Sequence, residues 1–215
     1  MPMIQLTRTL APRTLALGAS ILAFSVSMAL AQEAAAPEAP AATDALSMGQ
    51  EVGAPPEPKT QETANVGETY LAATSEAWEQ RCIKTEDGSD PCQIYQLLRD
   101  GNGTAVAEFT MFPLPAGGQA AAGATAIVPL ETLLPANLQL QIDGGTPKVY
   151  PYTFCTGIGC VARIGFTAAE IDQLKKGNKA VMTLVPAAAP DQKVALDISL
   201  KGFTKAFDGL PVPKN

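Results

Sequence analysis

Apolar and polar positions alternate with a period of two over much of the chain beyond residue 66, the signature of strands buried on one face. Ala77 to Ile83 places Trp78 and Cys82 on one face, which predicts a first core strand carrying the chain's only Trp. The polar cluster Asp87-Gly88-Ser89-Asp90-Pro91 predicts a turn, and Cys92 to Leu98 a second strand. Asp100-Gly101-Asn102-Gly103 is a hairpin signal, because Asn and Gly tolerate the positive φ of tight turns. The returning strand, Thr104 to Phe112, sets Ala107, Phe109 and Met111 on one face and Val106, Glu108 and Thr110 on the other. Pro113 to Gly123 has no period and reads as a surface loop.

Further strands are predicted at Ala126 to Leu130, Leu138 to Ile142 and Lys148 to Cys155. Pro151 has no N–H and assigns the last of these to an edge or a bulge. Cys155-Thr156-Gly157-Ile158-Gly159-Cys160 then forms a turn between two strand-like runs, a hairpin whose mouth a disulfide closes. Val161 to Phe166 leads into the one clear helix, about two turns long. Thr167 and Glu170 make its capping box, Ile171 and Leu174 face inward, and Gly177 ends it. Ala180 to Val185 and Val194 to Leu200 add two strands, and Gly202 to Phe207 a short turn or helix. Eight or nine short strands with little helix describe an all-β sandwich, with a closed barrel as the alternative.

The N-terminal third has a different pattern. Arg8 and Arg13 precede an apolar run from Leu15 to Leu30 and the small-x-small triplet Ala29-Leu30-Ala31, so residues 1–31 read as a cleaved signal peptide. The alternative is an uncleaved membrane anchor. Residues 32–66 are rich in Ala, Pro and Glu and cannot bury enough apolar surface to offset their ordering entropy, which predicts a disordered linker. The folded domain is then expected over 67–215. No transmembrane segment is expected after signal cleavage, since no later run approaches ~20 apolar residues. With Cys82 as the first cysteine, far from the cleavage site, lipid anchoring is not expected either.

Charge and residue counts narrow the chemistry. Loss of the two leader arginines leaves 13 basic against 21 acidic residues, which argues against nucleic acid as a partner. The chain has no histidine, and this excludes Ser-His-Asp and Cys-His catalysis, histidine zinc sites and haem attachment through Cys-x-x-Cys-His. No phosphate-binding glycine loop follows a strand. Asp87 and Asp90 do not build a calcium loop, and nothing fixes Glu108 and Glu131 as a glycosidase pair. No catalytic residue, metal ligand or cofactor is therefore assigned. In an exported chain the four cysteines are expected to pair. Their spacing favours two local bridges, Cys82 with Cys92 and Cys155 with Cys160, with a crossed pairing between hairpins as the alternative.

With that cysteine pattern, the domain resembles the invasion-associated locus B family of Gram-negative alphaproteobacteria. The matching features are Trp78 with Arg81-Cys82, Pro91-Cys92-Gln93-Ile94, Cys155 followed by Gly159-Cys160, Leu174-Lys175-Lys176-Gly177, and Ser199-Leu200-Lys201-Gly202-Phe203. The resemblance spans Ala77 to Leu210 and implies an immunoglobulin-like β-sandwich exported to the periplasm or outer envelope, linked in pathogenic members to host-cell invasion. It brings no catalytic or ligand residues.

The resulting expectation is a non-enzymatic envelope protein acting through contacts with an envelope or host protein. The alternatives are a glycan- or lipid-binding module and a thiol–disulfide factor. Candidate binding-surface residues are Tyr150, Tyr152 and, in the Pro113 to Gly123 loop, Gly117, Gly118 and Gln119. Sheet packing is the competing role for the two tyrosines.

Overall fold

The computed structural model describes residues 57–212, so the signal peptide and residues 32–56 of the expected linker lie outside the described residues. Eleven strands and two short α-helices, with one 3-10 turn at Leu134–Ala136 besides, follow one another. They are β1 (Thr69–Ser75), β2 (Trp78–Ile83), β3 (Cys92–Arg99), β4 (Ala105–Pro113), β5 (Ala122–Val128), β6 (Leu138–Ile142), β7 (Lys148–Tyr150), β8 (Tyr152–Thr156), β9 (Gly159–Phe166), α1 (Ala168–Lys176), β10 (Lys179–Leu184), β11 (Val194–Ser199) and α2 (Phe203–Asp208). A seven-stranded sheet runs β1-β2-β3-β4-β5-β9-β8 and a four-stranded sheet β11-β10-β6-β7, every pairing antiparallel. The two make a β-sandwich. Its core is built from alternate residues of both inner faces, including Trp78, Ile94, Phe109 and Met111 of the large sheet and Leu138, Met182, Leu196 and Ile198 of the small one.

Four differences from the sequence reading have physical causes. First, β1 precedes the expected first strand: its only large side chains are Tyr70 and Leu71, and a bulge between Leu71 and Ala73 breaks its period. Second, β5 starts at Ala122 because alanines and Gly123 pack there in a narrow inner layer, leaving a loop only from Leu114 to Ala121. Third, the segment expected as a short turn or helix resolves as the helix α2, Phe203–Asp208, which reaches one residue beyond the expected end and sets Phe203 and Phe207 against the core. The fourth is the split of Lys148 to Cys155 into β7 and β8, described with the site below. Helix α1 follows its signals, with the Thr167–Glu170 capping box formed and Ile171 and Leu174 buried.

Packing also begins before residue 67. The Lys59 carbonyl accepts the Leu71 N–H at 2.9 Å, and Lys84 donates to the carbonyls of Gln61 and Ala64. Ala64 is buried with Tyr70 and Cys82. Residues 59–66 thus cover the outer edge of β1 instead of continuing the linker.

One polar device joins the two sheets and another ties the segments around β1 and the β2–β3 loop. Gln96 on β3 donates to the Ser199 carbonyl at 3.1 Å and accepts the Ser199 N–H at 2.8 Å, acting as a strand neighbour for β11 across the sandwich. Trp78 Nε1 donates to the same carbonyl at 2.9 Å. At the other end Asp90 gathers Thr85 N–H and Oγ1, Tyr70 Oη and Gln61 Nε2 at 2.8–3.1 Å.

The Thr85 amide, then the Tyr70 hydroxyl, hold the Asp90 carboxyl well below the usual carboxylate range. Burial first, then Asp90 itself, push the Tyr70 hydroxyl up to about 12. A carboxyl depressed on folding adds stability above its unfolded pKa of about 3.9 and loses it as pH falls toward the folded value. Urea midpoints are therefore expected to fall below about pH 4 in the wild type. Asp90→Asn should be less stable at neutral pH and show a shallower acid slope; parallel pH profiles would contradict this role.

Candidate functional site

Pro151 is where the chain changes sheets. β7 ends at Tyr150 on the edge of the small sheet, and β8 begins at Tyr152 on the edge of the large one. A residue without N–H cannot continue a ladder, so the expected single strand breaks there and its halves diverge. β8 then pairs with β9 as Cys155↔Cys160 and Thr156↔Gly159, leaving Gly157 and Ile158 as the turn. Both disulfides are local: Cys155–Cys160 clasps this hairpin, and Cys82–Cys92 joins facing residues of β2 and β3.

The two sheets have four edges, and three are blunted. β1 carries a bulge and the covering segment 59–66. β7 is three residues long, and its Lys148 is ion-paired to Glu170 of α1. β11 is bound to Gln96 and bears the Lys179–Asp197 pair. β8 has a register shift at Thr153, but Phe154, Cys155 and Thr156 are exposed and the strand has no charged side chain. Such an edge is a template for another strand.

A row of side chains, apolar except for Glu108, leads to it. Through successive registers Leu97, Glu108, Ile127, Val161 and Phe154 are cross-strand neighbours on the face of the large sheet turned away from the small one. Leu97 is 38% and Phe154 43% exposed, and beyond the row Leu130 is 52% and the turn residue Ile158 78% exposed. Arg163 places its guanidinium 5.5 Å from the Phe154 ring centre and has no ion pair among the described residues.

A second concavity lies between the β6–β7 hairpin and α1, about 540 Å³ in volume. Leu140, Ile142, Tyr150 and Phe166 supply its apolar surface, and Asp143, Thr146, Lys148, Glu170, Gln173 and Lys176 its polar groups. Burial pushes the Glu170 carboxyl up. The Lys148 ammonium and the Thr167 amide and hydroxyl outweigh it, so the carboxyl lies below its ordinary value.

The expected surface residues do not form one patch. Tyr150 lines the concavity, its hydroxyl pushed up by burial and by the Glu170 charge. Tyr152, across Pro151, turns inward; its hydroxyl is buried with no hydrogen-bond partner among the described residues, and burial pushes it up to about 12. Gly117, Gly118 and Gln119 sit exposed at the tip of the β4–β5 loop. The base of that loop is fixed by the Ala121 N–H donating to the Phe166 carbonyl. Tyr152 pairs with Ala162, four residues along β9, roughly 13 Å from that point. Sequence reasoning missed the apolar row and the Lys148–Glu170 pair. The one available signal for the row was that Ile127 and Val161 are apolar on the face opposite the inward Ala126 and Ala162.

A family model described as invasion associated locus B protein matches residues 78–211. Invasion protein B homologs from Brucella abortus strain 2308 and from biovar 1 strain 9-941 are each 29% identical over 145 residues, covering 66% of this chain and 80% of the relative. The crystal structure of invasion associated protein B from Bartonella henselae superposes with a TM-score of 0.53 at 23% identity, over 63% of this chain and 91% of that one. That likeness is one of fold.

Proposed function

The chain belongs to the invasion associated locus B family, and from that premise we propose that it is an exported cell-envelope protein that binds another protein and catalyses no reaction. A leader over residues 1–31 directs export, and residues from 32 to the start of packing at Lys59 tether the domain in the periplasm or at the outer envelope. Two local disulfides suit an oxidising compartment.

The observation that carries the reading is the apolar row ending at the uncharged, open edge of β8. Main-chain groups of Phe154 to Thr156 offer strand pairing to a partner, and exposed Phe154 and half-buried Ile127 offer the side-chain contacts that select it. The family's association with invasion belongs to its named members, and the partner of this chain is an envelope or host protein.

A photo-crosslinking residue at Ile158 in intact cells is expected to capture one discrete protein, whereas the same probe at exposed Asp191 captures none. Adding Phe154→Lys should abolish the adduct without changing the level of folded protein. The reading fails if the Ile158 adduct survives Phe154→Lys unchanged. It also fails if no adduct forms at Ile158.

A further inference from the structure

We propose that the concavity between the β6–β7 hairpin and α1 binds a small single-chain carboxylate, its head group on Lys176 and Lys148 and its apolar body on Leu140, Ile142 and Phe166. This site is separate from the β8 edge, and the two stand or fall independently.

The volume of about 540 Å³ lies within the range of sites for small organic ligands. Its floor is made of core side chains: Leu140 and Phe166 are almost wholly buried, and Ile142 packs against the same cluster. The walls are fixed at two points. Asp143 accepts the N–H groups of Asn178 and Lys179 at 3.0–3.2 Å, tying the hairpin to the segment after α1. Gly177 permits this, since a Cβ there would lie 2.6 Å from Asp143 Oδ2. Lys148 reaches from β7 to Glu170 on α1 and ties the other end.

Hydrogen-bond bookkeeping then selects the ligand. The carboxylates and the Gly145 carbonyl around the concavity are engaged: both Asp143 oxygens by backbone amides, Glu170 Oε2 by the Thr167 amide and hydroxyl, Glu170 Oε1 by Lys148, and the Gly145 carbonyl by Gln141 Nε2. The donors are not. Lys176, Gln173, Thr146 and the Tyr150 hydroxyl have no side-chain partner among the described residues, and Lys148 keeps two N–H groups beyond the one facing Glu170. A ligand that offers acceptors only, on an apolar body, suits the two lysines, which can only donate, and Gln173, Thr146 and Tyr150 can each donate to it as well. A sugar brings as many donors as acceptors and would find neither lysine nor the engaged carboxylates free to accept from it. A neutral amphiphile forgoes the lysines.

Titrating the 15N-labelled, oxidised protein with laurate below its micelle concentration tests the site. Saturable amide shifts are expected at Thr146, Tyr150, Gln173 and Lys176, with none from acetate and about tenfold weaker binding of lauryl maltoside. Lys176→Glu should weaken laurate about tenfold, and Gln173→Trp, which fills the opening from the exposed face of α1, should abolish it; the same spectra report that both variants are folded. Equal affinity for laurate and lauryl maltoside would overturn the proposal. So would laurate binding unchanged by both substitutions, or shifts confined to the β8 row.

Discussion

Trp78→Ala is expected to lower the stability of the oxidised protein by about 3–5 kcal/mol, the range for removing a large aromatic from a packed core. In urea this should appear as a shift of the unfolding midpoint with little change in slope. Trp78 is fully buried on β2, meets Phe109 of β4 and Phe203 of α2 edge-on, and donates its indole N–H to Ser199 of the opposite sheet. It therefore touches both sheets and the C-terminal helix, and its loss opens a cavity where three elements meet. Trp78→Phe keeps most of the contact and drops the N–H. The Ser199 carbonyl still has Gln96 as a donor, so that variant should lose only about 1–2 kcal/mol. Because Trp78 and Gln96 share one acceptor, Trp78→Phe combined with Gln96→Leu should cost more than the sum of the singles. Additive losses would show that the shared carbonyl does not couple the sheets.

The parts of this fold that were legible in advance are those whose signals are local. The α1 cap needs only Thr167, Glu170 and their spacing, and the disulfide hairpin needs only two cysteines around a glycine-bearing turn. Strand faces were legible too, since inward Phe109 and Met111 follow from alternation alone. What stayed hidden depends on which strands become neighbours. Leu97, Ile127, Val161 and Phe154 come from four strands spread over more than sixty positions, and only the sheet order brings them into one row. Pro151 was readable as an edge marker, but its role as the crossing between sheets depends on the lack of a common partner for β7 and β8. The concavity is likewise a tertiary object: Lys148 and Glu170 are twenty-two positions apart and meet because α1 lies beside the end of the β6–β7 hairpin.

The two glycines of the clasped turn are expected to respond very unequally to alanine. Gly159 has φ +143°, and a Cβ there would lie 2.4 Å from the Val128 carbonyl oxygen and 2.9 Å from Ile127 Cγ2. The first of these neighbours is backbone of β5 and cannot rotate aside, so Gly159→Ala must move β9 away from β5. Backbone strain and overpacking together should cost about 2–5 kcal/mol. Gly157, two residues earlier, has no positive φ, and a methyl group there would meet nothing within 4 Å, so Gly157→Ala should change stability by less than about 0.5 kcal/mol. The site of the damage is also specified. Cys155–Cys160 keeps β8 joined to β9, so the hairpin stays closed and the seam between β5 and β9 opens. Hydrogen exchange should accelerate at Ala126 to Val128 and at the facing positions Cys160 to Ala162. The Ile127–Val161 step of the apolar row would separate with it, and the Ile158 crosslink should be lost in Gly159→Ala and kept in Gly157→Ala. If the two variants exchange and crosslink alike, the close approach of the turn to β5 does not shape the surface that β8 presents.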